Sequence, residues 1–119
     1  MAQSQVLDQI KKAALGKGRV AFISGKFNVL HPGHFRLFRY ARETTDYLIV
    51  GVFGDGYIGG LLLSEEVRLD NVLSTSWVDV AFILGDSPEA AIAALHPDVV
   101  VKGKEYEGEY NPEAEILKE

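Results

Sequence analysis

The chain has 119 residues, of which 47% are hydrophobic and 24% are charged, a composition typical of one soluble domain. Its 17 acidic residues outnumber its 12 basic residues and give a net charge of −5, which argues against bulk binding to nucleic acid or to an anionic membrane. The sequence has no cysteine, no apolar stretch long enough to cross a bilayer and no secretory signal pattern, so we predict a cytoplasmic protein without disulfides.

Hydrophobic periodicity predicts helices and strands in alternation along the chain. In chain order the predicted elements are a helix over 4–15, a strand over 19–24, a helix starting near Pro32, a strand over 47–53, a helix from Ser64 towards Ser76, a strand over 78–84, a helix over 88–95 and a short strand centred on 99–101. Alternation at this spacing predicts βαβ units. We therefore expect a single domain over 1–119 with a three-layer, Rossmann-like α/β fold built on a parallel sheet.

The C-terminal residues predict an incomplete fold. Asn111-Pro112-Glu113 has the pattern of a helix start, but the sequence ends at Glu119 after barely two turns. Because a doubly wound domain normally adds another strand and helix, we predict a truncated chain in which these two elements are missing. An uncovered last strand would favour self-association, so a homo-oligomer or a part of a longer chain is expected.

The most specific motif is His31-Pro32-Gly33-His34, which lies where the first strand passes into the next helix. Ligands of parallel sheets bind beyond the carboxyl ends of the strands, and a helix N-terminus offers free N–H groups to anions. Two imidazoles facing one cavity can donate hydrogen bonds to triphosphate oxygens and stabilise charge that develops at phosphorus. Gly33 leaves room for the backbone to approach a ligand. A bare H-x-G-H match is weak, because an incidental pair of turn histidines also gives it, but its place after a buried strand and before an amphipathic helix favours the functional reading.

The segment from Gly25 to His34 resembles the G-x-F-D-x-x-H-x-G-H signature of the cytidylyltransferase-like nucleotidyltransferases. The resemblance covers about residues 19–110 and is nearest to branches that activate sugar phosphates, of the ADP-heptose synthase and glycerol-3-phosphate cytidylyltransferase types. It implies transfer of NMP from ATP or CTP to a phosphorylated sugar or polyol. In that reaction the acceptor phosphate attacks the α-phosphorus, pyrophosphate leaves, and Mg²⁺ carried by the nucleotide neutralises charge.

The resemblance also implies roles for individual residues. These are catalytic roles for His31, His34 and Lys26; nucleotide binding by Gly25, Phe27, Asn28, Gly33, Lys102, Gly103 and Lys104; and contact with substrate or metal-bound water by Asp55 and Arg68. No direct metal ligand is predicted, because no third ligand lies near the two histidines at metal spacing. Solvated lysines, a turn aspartate and a helix-surface arginine pairing with Glu65 are the structural alternatives for the charged members of this set.

Four departures from the family's pattern bear on the function, and two of them, Asn28 and the missing C-terminal segment, leave a second function open. Asn28 replaces the usual aspartate, and Ser76 stands where the glycerol-phosphate branch has an arginine. That branch also has lysines where this chain reads Gly59-Gly60-Leu61-Leu62-Leu63, which counts against glycerol-3-phosphate as the acceptor. The Ser/Thr-rich segment that holds triphosphate in the family would lie beyond Glu119. The alternative is therefore a catalytically incomplete nucleotide-binding or interaction domain of a larger protein.

Overall fold

The computed structural model describes residues 3–28, 30, 32–56, 63–85 and 87–102, together with the strand at 116–118. The elements are α1 (Gln3–Ala14), β1 (Val20–Gly25), α2 (Pro32–Thr44), β2 (Tyr47–Phe53), α3 (Glu65–Leu73), β3 (Val80–Leu84), α4 (Pro88–Leu95), β4 (Val99–Lys102) and β5 (Ile116–Lys118). The predicted alternation is confirmed. None of the helices in these described ranges has the length and apolar character needed to cross a membrane.

The sheet has the order β3-β2-β1-β4-β5, and β1 to β4 run parallel. Side chains from α2 and α3 pack on one face of the sheet, and side chains from α1 and α4 pack on the other. The helix residues buried on the first face are Leu37, Phe38, Ala41 and Val72, and those on the second face are Leu7, Ile10, Ala91 and Leu95. This arrangement confirms the predicted three-layer α/β fold. Strands covered on both faces are apolar throughout, which is why they stand out in the sequence.

The predicted bounds are confirmed for the strand over 47–53 and the helix over 88–95, and several other bounds are wrong by one to three residues. The first helix covers Gln3–Ala14 rather than 4–15. The helix α3 stops at Leu73, because Ser74 donates its N–H to the carbonyls of Asp70 and Asn71 and its hydroxyl to Asp70. At the other bounds, Ser64 and Ser87 each accept a backbone N–H from three residues ahead, as expected of helix N-caps.

The prediction of a C-terminal helix is corrected by the structure. Residues Ile116–Lys118 form β5, which pairs antiparallel with β4 through Val101↔Ile116, Val100↔Leu117 and Val99↔Lys118. β4 is therefore not the uncovered edge that the sequence indicated. Two β-favouring apolar residues beside an open strand satisfy the ladder hydrogen bonds of β4, which a helix there would leave unpaired. The remainder of the predicted helix, at 111–115 and 119, lies outside the described residues.

Three aspartates join neighbouring strands at the amino edge of the sheet. Each precedes a strand, and each makes two reciprocal hydrogen bonds with one residue of a neighbouring strand or its entry. Asp46 pairs in this way with Arg19, Asp79 with Leu48, and Asp98 with Val20; the amide-to-carboxylate distances are 2.8, 2.8 and 2.7 Å. The return bonds, from each aspartate amide to the partner's carbonyl, measure 2.8, 3.0 and 2.8 Å. These pairs are called the aspartate clamps below.

The chain reverses its direction of winding at β1. From β1 it passes through α2 to β2, whereas from β3 it passes through α4, on the opposite face, to β4 on the other side of β1. The carboxyl ends of β1 and β4 therefore flank the topological switch point of the sheet. Such a point is where open α/β sheets bind their ligands.

Candidate functional site

The loop that follows β1 starts at this switch point. Ser24 lies opposite Lys102 of β4, and Gly25 lies opposite Val52 of β2. The ends of three parallel strands thus converge where the loop begins. This convergence brings the predicted site residues Gly25 and Lys26 to the same edge of the sheet as the backbone of Lys102.

Phe27 has a strained backbone at the centre of the loop. Its φ is +53°, in the left-handed region that costs a residue with a side chain about 1–2 kcal/mol. Its ring is 2% exposed and packs against the rings of His34 and Phe38, with centroid distances of 5.4 and 5.6 Å. A Cβ added at Gly25 would lie 3.1 Å from Phe27 Cζ, so the glycine makes room for this ring. Packing therefore holds the loop in a conformation that local propensity disfavours.

His34 lies in the first turn of α2, which begins at Pro32 as predicted. It is 1% exposed, and its ring meets the ring of Phe27 nearly edge-on, at an interplanar angle of 65°. Gly33, the preceding residue, is also buried. The structure thus brings Phe27, Gly33 and His34 together at the positive end of a helix, a place that favours anions.

Arg68 is buried completely and binds four residues in three segments of the chain. Its side chain is 0% exposed. Its Nε donates to the carbonyl of Leu63 (2.9 Å), Nη1 donates to the carbonyls of Lys26 (2.8 Å) and Phe53 (2.6 Å), and Nη2 donates to Asp55 Oδ1 (2.8 Å). The alternative of a helix-surface arginine pairing with Glu65 is therefore wrong, because Arg68 faces inward and pairs with Asp55.

Asp55 is held by Arg68 and by the start of α3. Its Oδ2 accepts the amide of Glu65 at 3.2 Å, and its own amide donates to Glu65 Oε1 at 2.9 Å. Its side chain is 49% exposed. Sequence reasoning missed the part that Glu65 plays here. The signal was the acidic pair Glu65-Glu66 ten residues after a Gly-Asp-Gly turn, since a carboxylate in a first helical turn can reach back to the backbone that precedes it.

A cavity of about 660 Å³ opens on the α2–α3 face beside the loop. Asn28 and Leu30 connect it to the loop, and the other lining residues come from α2, from α3 and from the residues on either side of α3: Phe35, Leu63, Asn71, Ser74, Thr75, Ser76 and Trp77. The rings of Phe35 and Trp77 lie 6.2 Å apart. Of the predicted nucleotide-binding residues, Asn28 is the one that reaches this cavity within the described part of the chain.

Some predicted site residues lie outside the described residues, namely His31, Gly103 and Lys104. Lys102 is placed by its backbone in β4. Across the described ranges, the histidine, aspartate and glutamate side chains form no group of three that could hold a metal ion. The roles assigned to these residues by resemblance therefore stay predictions.

Fold and loop together define the class, a three-layer α/β domain whose candidate ligand-binding loop follows the first strand of a parallel sheet. Comparison with known proteins agrees. The Cytidylyltransferase-like family matches residues 22–117, which is most of the chain. The chain belongs to the cytidylyltransferase-like family.

Individual relatives are similar in sequence over nearly the whole chain. The bifunctional protein HldE of Hyphomonas neptunium is 35% identical over 119 residues, which cover 94% of this chain and 24% of that protein. The bifunctional protein HldE of Rhodospirillum rubrum is 36% identical over 109 residues, covering 86% of this chain and 21% of that protein. The chain thus spans about a quarter of the length of these curated relatives.

A solved structure has a similar fold. It is the crystal structure of the lipopolysaccharide core biosynthesis protein from Thermoplasma volcanium GSS1, with a TM-score of 0.64 and 25% sequence identity. The match covers 70% of this chain and 72% of that one. The predicted family and fold class are therefore confirmed.

Proposed function

We propose that this domain transfers the NMP group of ATP or CTP to the phosphate of a sugar or polyol phosphate and releases pyrophosphate. The observation that carries the proposal is the position of His34. It lies in the first turn of α2, beside the switch point, in a chain of the cytidylyltransferase-like family. HldE relatives are named as bifunctional proteins, which fits a nucleotidyltransferase unit within a longer chain.

In the proposed reaction an oxygen of the acceptor phosphate attacks the α-phosphorus in line. A new P–O bond forms, the bond from the α-phosphorus to the bridging oxygen breaks, and pyrophosphate leaves with that electron pair. The acceptor oxygen is already ionised, so no general base is needed. His31 and His34 would donate hydrogen bonds to phosphate oxygens, and the N-terminus of α2 would add positive potential. Lys26 and Lys102, both beside the switch point, would add positive charge near the triphosphate.

Mg²⁺ enters the proposal as a counterion of the nucleotide. Mg²⁺ in such sites is usually held by substrate phosphates and one or two carboxylates. Asp55, the carboxylate that follows β2, has Oδ1 engaged by Arg68 and Oδ2 engaged by the Glu65 amide. Both Asp55 oxygens are thus already bonded within the protein, and no step is assigned to a protein-held metal.

The experiment is an assay of pyrophosphate release by the complete gene product, with ATP and CTP and a panel of sugar and polyol phosphates. Replacing His34 by Ala should lower the rate by about 100- to 1,000-fold, the usual effect of removing one donor to a transition-state oxyanion. His96→Asn is the matched control. His96 is an exposed helix C-cap with φ +49°, a conformation that Asn tolerates, so this variant should keep full activity.

Two results would contradict the proposal: no release with any acceptor, or full activity of His34→Ala. The alternative, a nucleotide-binding domain without turnover, is favoured by Asn28 in place of the signature aspartate. Calorimetric titration with ATP and CTP separates the two. Nucleotide binding by a complete gene product that releases no pyrophosphate would support the alternative.

A further inference from the structure

We propose that Arg68 is a positioning residue for His34, acting through the carbonyl of Lys26 and the ring of Phe27, and that it does not bind a substrate phosphate. This inference rests on the proposed function. It replaces the role that resemblance implies for Arg68.

The guanidinium group is already engaged within the protein. Arginine has five N–H donors, and hydrogen bonds to Leu63, Lys26, Phe53 and Asp55 use four of them. Arginine usually grips a phosphate with two parallel N–H bonds. Arg68 would have to give up at least one of its present partners to do so. Arg68 therefore joins parts of the protein to one another through its hydrogen bonds, and it is called the brace below.

The bond to Lys26 connects this brace to the loop. Nη1 reaches the Lys26 carbonyl at 2.8 Å across 42 positions of sequence. That carbonyl belongs to the peptide unit that leads into Phe27, whose φ is +53°. Because a left-handed phenylalanine relaxes unless its surroundings hold it, a hydrogen bond that fixes the preceding peptide plane stabilises the strained conformation.

The ring of Phe27 then transmits the constraint to His34. The two rings meet edge-on at 5.4 Å, and the other side of Phe27 packs on Phe38. If Phe27 relaxed, His34 would lose its edge-on contact with that ring. A displacement of about 1 Å in a positioning contact can cost 100-fold in rate.

The two roles predict different kinetics. A positioning residue acts in the transition state, so Arg68→Met should lower kcat by about 10- to 100-fold while KM for both substrates changes less than about 3-fold. A phosphate ligand would instead raise KM for the nucleotide or the acceptor. Arg39→Met, which removes an exposed arginine of α2, is the matched control and should keep wild-type kcat and KM.

A spectroscopic measurement tests the inference without activity. In the folded full-length protein, the ring protons of His34 should show a ring-current shift from Phe27 in NMR spectra. That shift should shrink in Arg68→Met and persist in Arg39→Met. If no variant, wild type included, releases pyrophosphate, the proposed function fails, yet the NMR result still decides the role of Arg68.

Asp55→Asn covers the case in which Arg68→Met does not fold. It keeps an oxygen acceptor for Nη2 on a side chain that is half exposed, removes the charge, and replaces the oxygen that accepts the Glu65 amide by an NH2 group. For Asp55→Asn we expect a smaller fall in kcat than for Arg68→Met, with KM unchanged. The ring-current shift of His34 should be reduced only in part. A raised KM with kcat preserved in either variant, or an unchanged His34 ring-current shift in Arg68→Met, would overturn the inference.

Discussion

At the scale of single residues, Phe27 shows how the site conformation is set against local preference. The sequence has no glycine or asparagine at this position, so nothing local predicts a positive φ. By contrast, the start of α2 at Pro32 and the place of His34 in its first turn could be predicted, because proline favours a first helical turn. Arg68 could not be predicted as a brace, because its partner Lys26 is 42 positions away.

Substitutions at Phe27 should reveal the backbone strain. Phe27→Ala and Phe27→Gly both lose the buried ring, at a cost of about 3–5 kcal/mol. Glycine adopts positive φ without penalty, so Phe27→Gly should be the more stable of the two by about 1 kcal/mol in urea unfolding. The same pair at Lys11, an exposed position within α1, should show the opposite order. If Phe27→Ala had a higher free energy of unfolding than Phe27→Gly, this result would contradict backbone strain at position 27.

Gly25 should tolerate a methyl group poorly. In Gly25→Ala the new Cβ would lie 3.1 Å from Phe27 Cζ, so the ring must shift, and we expect a loss of about 1 kcal/mol in the free energy of unfolding. Gly56→Ala is the control, since a Cβ there has no neighbour within 4 Å. Equal free energies of unfolding for these two variants would show that the ring does not confine position 25.

At the scale of elements, the strand β2 begins with Tyr47, a residue whose pKa is raised by its surroundings. Burial, and secondly the negative charge of Asp79, raise the pKa of Tyr47 above its usual 10.0. Asp79 is also bound to Arg42 of α2 at 3.0 Å, so the same carboxylate connects a helix to the start of the strand. The apolar run of β2 predicted the strand, but the surroundings of Tyr47 depend on tertiary contacts that a periodicity does not show.

The raised pKa of Tyr47 predicts lower stability at alkaline pH. The folded state holds the phenolic proton more tightly than the unfolded state. This contribution is therefore fully present below pH 10 and is lost as pH rises through the folded pKa. Tyr47→Phe should lose less stability than wild type as the pH rises above 10 in thermal unfolding. Parallel pH profiles would contradict this assignment, and Tyr40→Phe, at an exposed tyrosine of α2, is the control.

At the scale of the whole molecule, alternation of apolar strands and amphipathic helices predicted the layers, because both patterns report burial directly. The prediction of a C-terminal helix was wrong, because a short segment adopts the structure that can pair with its neighbours. Here Ile116–Lys118 pairs with β4. The hydrophobic periodicity of so short a segment does not show that a strand lies beside it to pair with. The aspartate clamps were also missed, although an aspartate directly before each of β2, β3 and β4 was their signal.

Removing a clamp should destabilise the whole domain. Asp98→Ala leaves the Val20 amide without its carboxylate acceptor, and we expect a loss of about 1–2 kcal/mol in the free energy of unfolding. Asp98→Asn keeps an oxygen acceptor and should cost less. Asp8→Ala, an exposed aspartate of α1, should stay within about 0.5 kcal/mol of wild type. If Asp98→Ala had the same free energy of unfolding as wild type, the clamp would contribute nothing to stability in solution.

The clamps also determine which end of the sheet is free to diversify. They bind β1 to β2, β2 to β3 and β1 to β4 at the amino edge, so each of these parallel pairs has its register held at the end opposite the loops after β1 and β2. A change in those loops then alters the chemistry at the carboxyl edge without shifting strand against strand. One scaffold can in this way acquire a different ligand specificity through loop mutations alone, while its strand pairing stays the same.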